Sequence, residues 1–212
     1  MSRQADASDV HQEVGGAVDR LAREFAGTFS RETVEQCVRD SLDKLGPMRV
    51  QTYRALFAYR FARERLRASA RLAGAVTPSA PSVLLVCTHN AGRSQLAAAI
   101  LEHEARGRVL VRSAGTDPAP DLHDGVREVL AELGVDASSA FPKPLTDEVL
   151  EASDVVVTMG CGDACPVLPG RRYLDWDLPD PAGQDLDTVR AVRDDIREHV
   201  RALLADLVQD RA

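Results

Sequence analysis

No run in this chain approaches the ~18 consecutive apolar residues that a membrane-spanning helix needs. Its first residues, MSRQADASDV, also lack the apolar stretch of a secretory signal, so a cytoplasmic location is expected. Cysteine is scarce: Cys37, Cys87, Cys161 and Cys165 are too few and too irregularly spaced for a secreted disulfide framework. Lysine is scarcer still. Lys44 and Lys143 stand alone among 26 Lys and Arg, and the excess of arginine and alanine reads as coding bias rather than function. With a formal charge of −7, the chain is not a binder of polyanions over its whole surface.

Hydrophobic residues make up 44% of 212, enough for one ordinary domain plus a smaller module. The charge divides along the chain. Residues 1–80 hold 13 Lys/Arg against 10 Asp/Glu, while residues 81–212 hold 13 against 23. The first part reads as three helices. Val14, Val18, Leu21 and Phe25 recur along one helical face. A second helix begins after Ser30, a good N-cap, and carries Val34, Val38, Leu42 and Leu45 before Gly46 stops it. A third follows Pro47 and spaces Tyr53, Phe57 and Phe61 four apart. A bundle of about 70 residues has a marginal core of its own, so self-association or docking is expected. The prolines of GAVTPSAP mark the linker, giving a helical module at 1–75, a linker at 76–81 and a second domain at 82–212.

In that second domain strands and helices alternate. Val83–Val86 and Asp154–Met159 are continuous apolar runs, as in strands covered on both faces. Val109–Val111 and Arg172–Leu174 are shorter strand candidates. Helices are expected over Gly92–His103, Gly125–Leu133 and Leu186–Leu207. The pattern predicts an α/β fold with a four-stranded, mostly parallel sheet flanked by helices, preceded by the small all-α module. Ligands then bind at the carboxyl ends of the strands.

The segment closing the first strand is the most informative: Cys87, Thr88, His89, Asn90, Ala91, Gly92, Arg93, Ser94. A cysteine ends a buried strand, five residues intervene, and an arginine opens a helix. Amides at a helix N-terminus favour a tetrahedral oxyanion, and their field favours a thiolate at Cys87. The Arg93 guanidinium can grip two oxygens of that anion at once. Ser94 can donate to the thiolate, Asn90 can pin the loop, and Gly92 allows close backbone approach. There is no Gly-Lys-Ser/Thr, so a nucleotide is not indicated. After the third strand come Cys161 and Cys165, four apart, which on a helix would share a face within disulfide range. No His/Cys set completes a zinc site, and idle thiols are the remaining plain reading. No metal or organic cofactor is implied.

The span VLLVCTHNAGRSQLAAAIL followed by SAGT resembles the low-molecular-weight protein tyrosine phosphatase fold, and within it the thioredoxin-coupled arsenate reductases. The resemblance covers roughly residues 82–208, and residues 10–75 are similar to a three-helix extension that some of these reductases use for dimer formation. It implies Cys87 as nucleophile on arsenate, with Arg93 and the loop residues 88–94 holding the oxygens. Asp180 of LPDPAG resembles the family's Asp-Pro general acid and is preferred to Asp175 or Asp177. Cys161 and Cys165 would carry a disulfide relay to thioredoxin, with Cys165-Pro166 matching the family ending but with fewer intervening residues. Asn90 and Ser113 match a potassium site found in part of the family, whereas Ala98 stands where a carboxylate is expected. The alternative enzyme is a tyrosine phosphatase using Cys87, Arg93 and Asp180, although Ala182-Gly183 stand where such phosphatases carry aromatics. A non-enzymatic dimeric sensor of anions is the third reading. Other marked residues read as structural: His89 as loop scaffold, Cys37 as core of the second helix, and the arginines of the third helix as a solvated face rather than a reader of nucleic acid.

Overall fold

The structure, a computed structural model, describes residues 7–46, 53–162 and 165–209 and divides into two units, Met1–Thr77 and Pro78–Ala212. Pro47 lies outside the described residues, as do Asp163 and Ala164 between the paired cysteines. Among the described residues no helix is long and apolar enough to cross a membrane.

The first unit holds α1 (Ala7–Glu24), α2 (Arg31–Lys44) and α3 (Arg54–Leu72). Ser30 caps α2, its hydroxyl accepting from the Thr33 amide at 3.2 Å. Gly46 follows the last turn at φ 60°, a conformation that costs glycine nothing. Val18, Leu21, Phe25, Val34 and Val38 form the core, as their spacing predicts. The third helix departs from expectation. Phe61 of the aromatic row is buried, but the stripe in the bundle core is Ala62, Leu66 and Ala70, while Tyr53 is exposed and Phe57 half-buried. Small residues let three helices approach closely, and the aromatic periodicity masked this second stripe. Cys37 is half-buried rather than fully interior, and its thiol donates to the Ala62 carbonyl. Three arginines of α3 pair with acids of the neighbouring helices: the half-buried Arg63 and the exposed Arg67 both grip Glu24, and the nearly buried Arg65 grips Asp40.

In the second unit β1 (Ser82–Cys87), β2 (Leu110–Gly115), β3 (Val155–Met159) and β4 (Arg172–Asp175) make one sheet in the order β2-β1-β3-β4, with every pairing parallel. Strand β1 is buried along its whole length, which is why it reads as an unbroken apolar run. The helices are α4 (Arg93–Ala105), α5 (Val126–Glu132), α6 (Asp147–Glu151) and α7 (Leu186–Gln209). One continuous core runs from the sheet through Leu96, Ile100 and Leu101 of α4 to Val189, Ile196 and Val200 of α7. Strand β2 extends beyond the expected three residues because Ser113, Ala114 and Gly115 continue the ladder opposite Leu85, Val86 and Cys87. The short α6 was not expected, since five residues carry no helical period. From β1 the chain passes to β2 on one side and then returns to β3 on the other. Cys87 therefore ends the strand at which the connections change direction, where an open α/β sheet leaves a crevice.

Candidate functional site

The loop from Cys87 to Arg93 is held by its carbonyls. Those of Cys87, Thr88, His89 and Ala91 accept from the amides of Thr116, Asp117, Ala119 and His123. With its carbonyls turned outward, the loop directs its own N–H groups inward. Among the described residues, the amides of His89 through Gly92 donate to no backbone acceptor. The first turn of α4 adds further orphan donors at the same place. Asn90 sits in the left-handed region at φ 45°, which reverses the chain there. Gly92 is required sterically: a Cβ on it would come within 2.8 Å of Pro181 and 3.0 Å of the His123 ring. The resulting cradle at the carboxyl end of β1 is chemically suited to an anion.

Inside it, hydrogen-bond directions follow from donor and acceptor inventory. Asn90 Oδ1 accepts from Gln95 Nε2 and from the Lys143 amide, both at 3.0 Å. That fixes Asn90 Nδ2 as the donor to Ser94 Oγ at 2.8 Å. Ser94 Oγ also lies 2.9 Å from Cys87 Sγ, within hydrogen-bond reach of it. Asn90 and Ser94 are fully buried, so the network forms without competition from water.

Arg93, nearly buried, donates to Asp180 at 2.7 Å and to the Leu178 carbonyl at 3.3 Å. Asp180 in turn accepts from the Ala182 amide through its other oxygen, an Asx turn that starts the Asp-Pro loop. The same guanidinium lies over Gly160: a Cβ there would fall 2.6 Å from Nη1, and the residue adopts φ 69°. Thr88 Oγ1 donates to the Gly160 carbonyl at 3.1 Å. The anion loop and the segment bearing the paired cysteines thus meet at one glycine. Asp175, the rejected acid, is occupied elsewhere, accepting from Thr158 Oγ1 at 2.6 Å.

Cys161 and Cys165 come together. Gly160 and Gly162 on either side of Cys161 both have positive φ. Cys165 donates its thiol hydrogen to Cys161. That hydrogen bond pulls Cys161 down to about 7 from the usual 9.0, against burial and the charge of Asp175. The same bond, with burial, pushes Cys165 up. Both are buried.

Several lining residues left no mark in sequence spacing. His123 packs edge-on to His89, ring centroids 6.0 Å apart, and burial lowers its pKa further than the charge of Asp180 raises it. Gln95 ties Asn90 to the Phe141 carbonyl. Lys143, Gln95 and Gly160 all lie outside the loop motif. The SAGT segment signals one of these contacts, since Gly115 has room for no side chain against Thr88 and Asn90. The potassium site implied by resemblance does not fit these residues. Both Asn90 Oδ1 lone pairs are taken, Ser113 Oγ receives Lys143 Nζ at 3.2 Å, and Ala98 brings no oxygen.

Comparison with known proteins agrees with this geometry. A family model described as low molecular weight phosphotyrosine protein phosphatase matches residues 82–212. A second, described as protein-tyrosine-phosphatase-like, N-terminal domain, matches residues 16–70. The solved thioredoxin-dependent arsenate reductase of Corynebacterium glutamicum is 41% identical, with a TM-score of 0.84, over 94% of this chain and 98% of its own. A Halobacterium salinarum protein, provisionally named an arsenate reductase, is 38% identical over 59% of this chain and 92% of its own length. The arginine phosphatase of Geobacillus stearothermophilus shares the fold at 26% identity and a TM-score of 0.55, over 62% of this chain and 95% of its own.

Proposed function

Because this chain belongs to the low-molecular-weight phosphotyrosine protein phosphatase family, we propose that it reduces arsenate to arsenite through Cys87, Cys161 and Cys165. Arsenate enters the cradle, and its oxygens take over the Arg93 fork from Asp180. Cys87 attacks arsenic, and the freed Asp180 delivers a proton to the departing oxygen. Cys161 then attacks the Cys87 sulfur. The S–As electron pair leaves with arsenic, so As(V) becomes As(III) as two thiolates become one disulfide. Cys165, once deprotonated, attacks Cys161, frees Cys87 and leaves a Cys161–Cys165 disulfide for thioredoxin. The three-helix unit is read as the homodimer contact, its exposed Tyr53 and Leu56 supplying apolar surface.

The observation that carries this reading is the unequal thiol pair joined to the anion loop at Gly160. A phosphatase needs the loop but has no use for that pair. The test follows NADPH consumption with thioredoxin and its reductase after arsenate is added, with Cys161→Ser and Cys165→Ser alongside. Turnover lost in both supports the relay. Cleavage of p-nitrophenyl phosphate that survives in both, with no arsenate-dependent NADPH loss in the parent, overturns it in favour of a phosphatase. Replacing thioredoxin by mycothiol distinguishes the reductant, and sedimentation velocity reads the dimer.

A further inference from the structure

We infer that Tyr173 is a positioning residue for the cysteine pair: its hydroxyl clasps the three residues that follow Cys165 and so sets where that thiol stands against Cys161. Tyr173 lies on β4, half-buried, in register with the fully buried Val156 of β3. Its phenol reaches back to the segment that leads from β3 to β4. The hydroxyl donates to the Pro166 carbonyl at 3.0 Å and accepts from the Leu168 amide at 2.9 Å. Both directions are forced, since a carbonyl only accepts and an amide N–H only donates. One oxygen therefore closes the chain from 166 to 168 and ties it to a strand of the sheet. Val167, between the two bonded residues, is turned out to 76% exposure. Among the described residues, nothing accepts from its amide.

Cys165 directly precedes the clasped residues. Proline at 166 restricts its own φ and the backbone of the residue before it, and the clasp fixes its carbonyl. Cys165 is thereby anchored from its C-terminal side. Cys161 is anchored from its N-terminal side, by the end of β3 and by the Thr88 bond to the Gly160 carbonyl at 3.1 Å. With both backbones fixed, the two thiols stay in contact, and the hydrogen bond between them is the largest influence on Cys161. The charge of Asp175 acts on Cys161 the opposite way, and Asp175 is held by Thr158 rather than by the phenol. Losing the hydroxyl thus removes the contact and leaves the charges. The same contact governs exchange with an outside disulfide. When glutathione disulfide oxidises the pair, two protein thiols form one S–S bond, and glutathione takes up the two electrons and two protons as two thiols. The closer the two protein sulfurs are held, the further that balance lies toward their disulfide.

This role rests on the proposed relay, yet its measurements need no arsenate. The full-length chain carrying Cys87→Ser is compared with the same chain bearing Tyr173→Phe, which keeps the ring and removes only the hydroxyl. Leu174→Ala, which trims β4 beside the clasp without touching it, is the control. Iodoacetamide capture of Cys161 is followed against pH by fragment mass mapping, and the thiol–disulfide balance of the pair is read in glutathione buffers. Tyr173→Phe is expected to move the capture midpoint from about 7 upward toward the usual 9.0 and to lower the equilibrium constant for forming the pair's disulfide severalfold. Leu174→Ala is expected to shift neither. A midpoint or an equilibrium constant that Tyr173→Phe leaves unchanged, or that Leu174→Ala shifts as far, overturns the clasp. Amide hydrogen exchange in the parent decides even if Tyr173→Phe does not fold. Slower exchange at Leu168 than at Val167, after correction for intrinsic rates, supports the clasp, and equal exchange overturns it. A parent that consumes no NADPH on adding arsenate would instead sink the proposed relay while leaving the capture midpoints readable.

Discussion

The two thiols at 161 and 165 differ chiefly in which of them holds the hydrogen between them. Because Cys161 is drawn below its ordinary value, its alkylation rate rises as pH passes upward through about 7 and falls away on the acid side. Replacing Cys165 by alanine removes the donor that contributes most, so the rise moves upward toward the usual 9.0, measurable by iodoacetamide capture in a Cys87→Ser background. A midpoint that stays put would mean the hydrogen bond is not what activates Cys161. Asn90 is the second residue on which much converges. Asn90→Ala strands the Gln95 and Lys143 donors in a dry interior, at a cost of about 1–3 kcal/mol in urea unfolding, and frees the Ser94 hydroxyl to turn from sulfur. Cys87 capture at neutral pH is expected to slow in that variant.

Among elements, the turn after β3 carries the sharpest expectation. Gly160→Ala places a methyl where the Arg93 guanidinium now lies, at a backbone angle that alanine resists. Arsenate KM is expected to rise more than kcat falls, since the change strikes the anion clamp rather than the thiols. A pure kcat effect would argue against that contact. The strand–loop–helix of Cys87–Arg93 was readable because its logic is local: a buried run, a loop that must turn, a helix start. Gly92 announced close approach, although only the structure shows that Pro181 and His123 are what it meets. Gln95, His123 and Lys143 were not readable, because each earns its place through partners on other elements that no spacing encodes. The turn at Cys161 was legible only in part: Gly160 and Gly162 announced freedom to take positive φ, not what the turn would meet. On α3, periodicity marked an aromatic stripe and missed the alanines that face the bundle core.

The molecule divides into two units, each with a buried apolar cluster of its own, and Cys87 belongs to a cluster of the second. Leu21 is fully buried in the helical unit and Leu130 in the α/β unit, where Cys87 belongs to the same cluster. Leu21→Ala and Leu130→Ala should each cost about 2–5 kcal/mol in urea unfolding. Cys87 capture in native buffer should change only for Leu130→Ala, and equal disturbance by both would show that the cores are not separate. A parallel sheet also has a geometric corollary. In the β1–β3 register Met159 lies opposite Cys87, and Cys161 follows two residues later. Neighbouring strands are about 4.8 Å apart, and two residues reach at most about 7 Å. The Cα of Cys161 is therefore tethered within about 12 Å of that of Cys87, a short leash that gives its sulfur a high local concentration at the first.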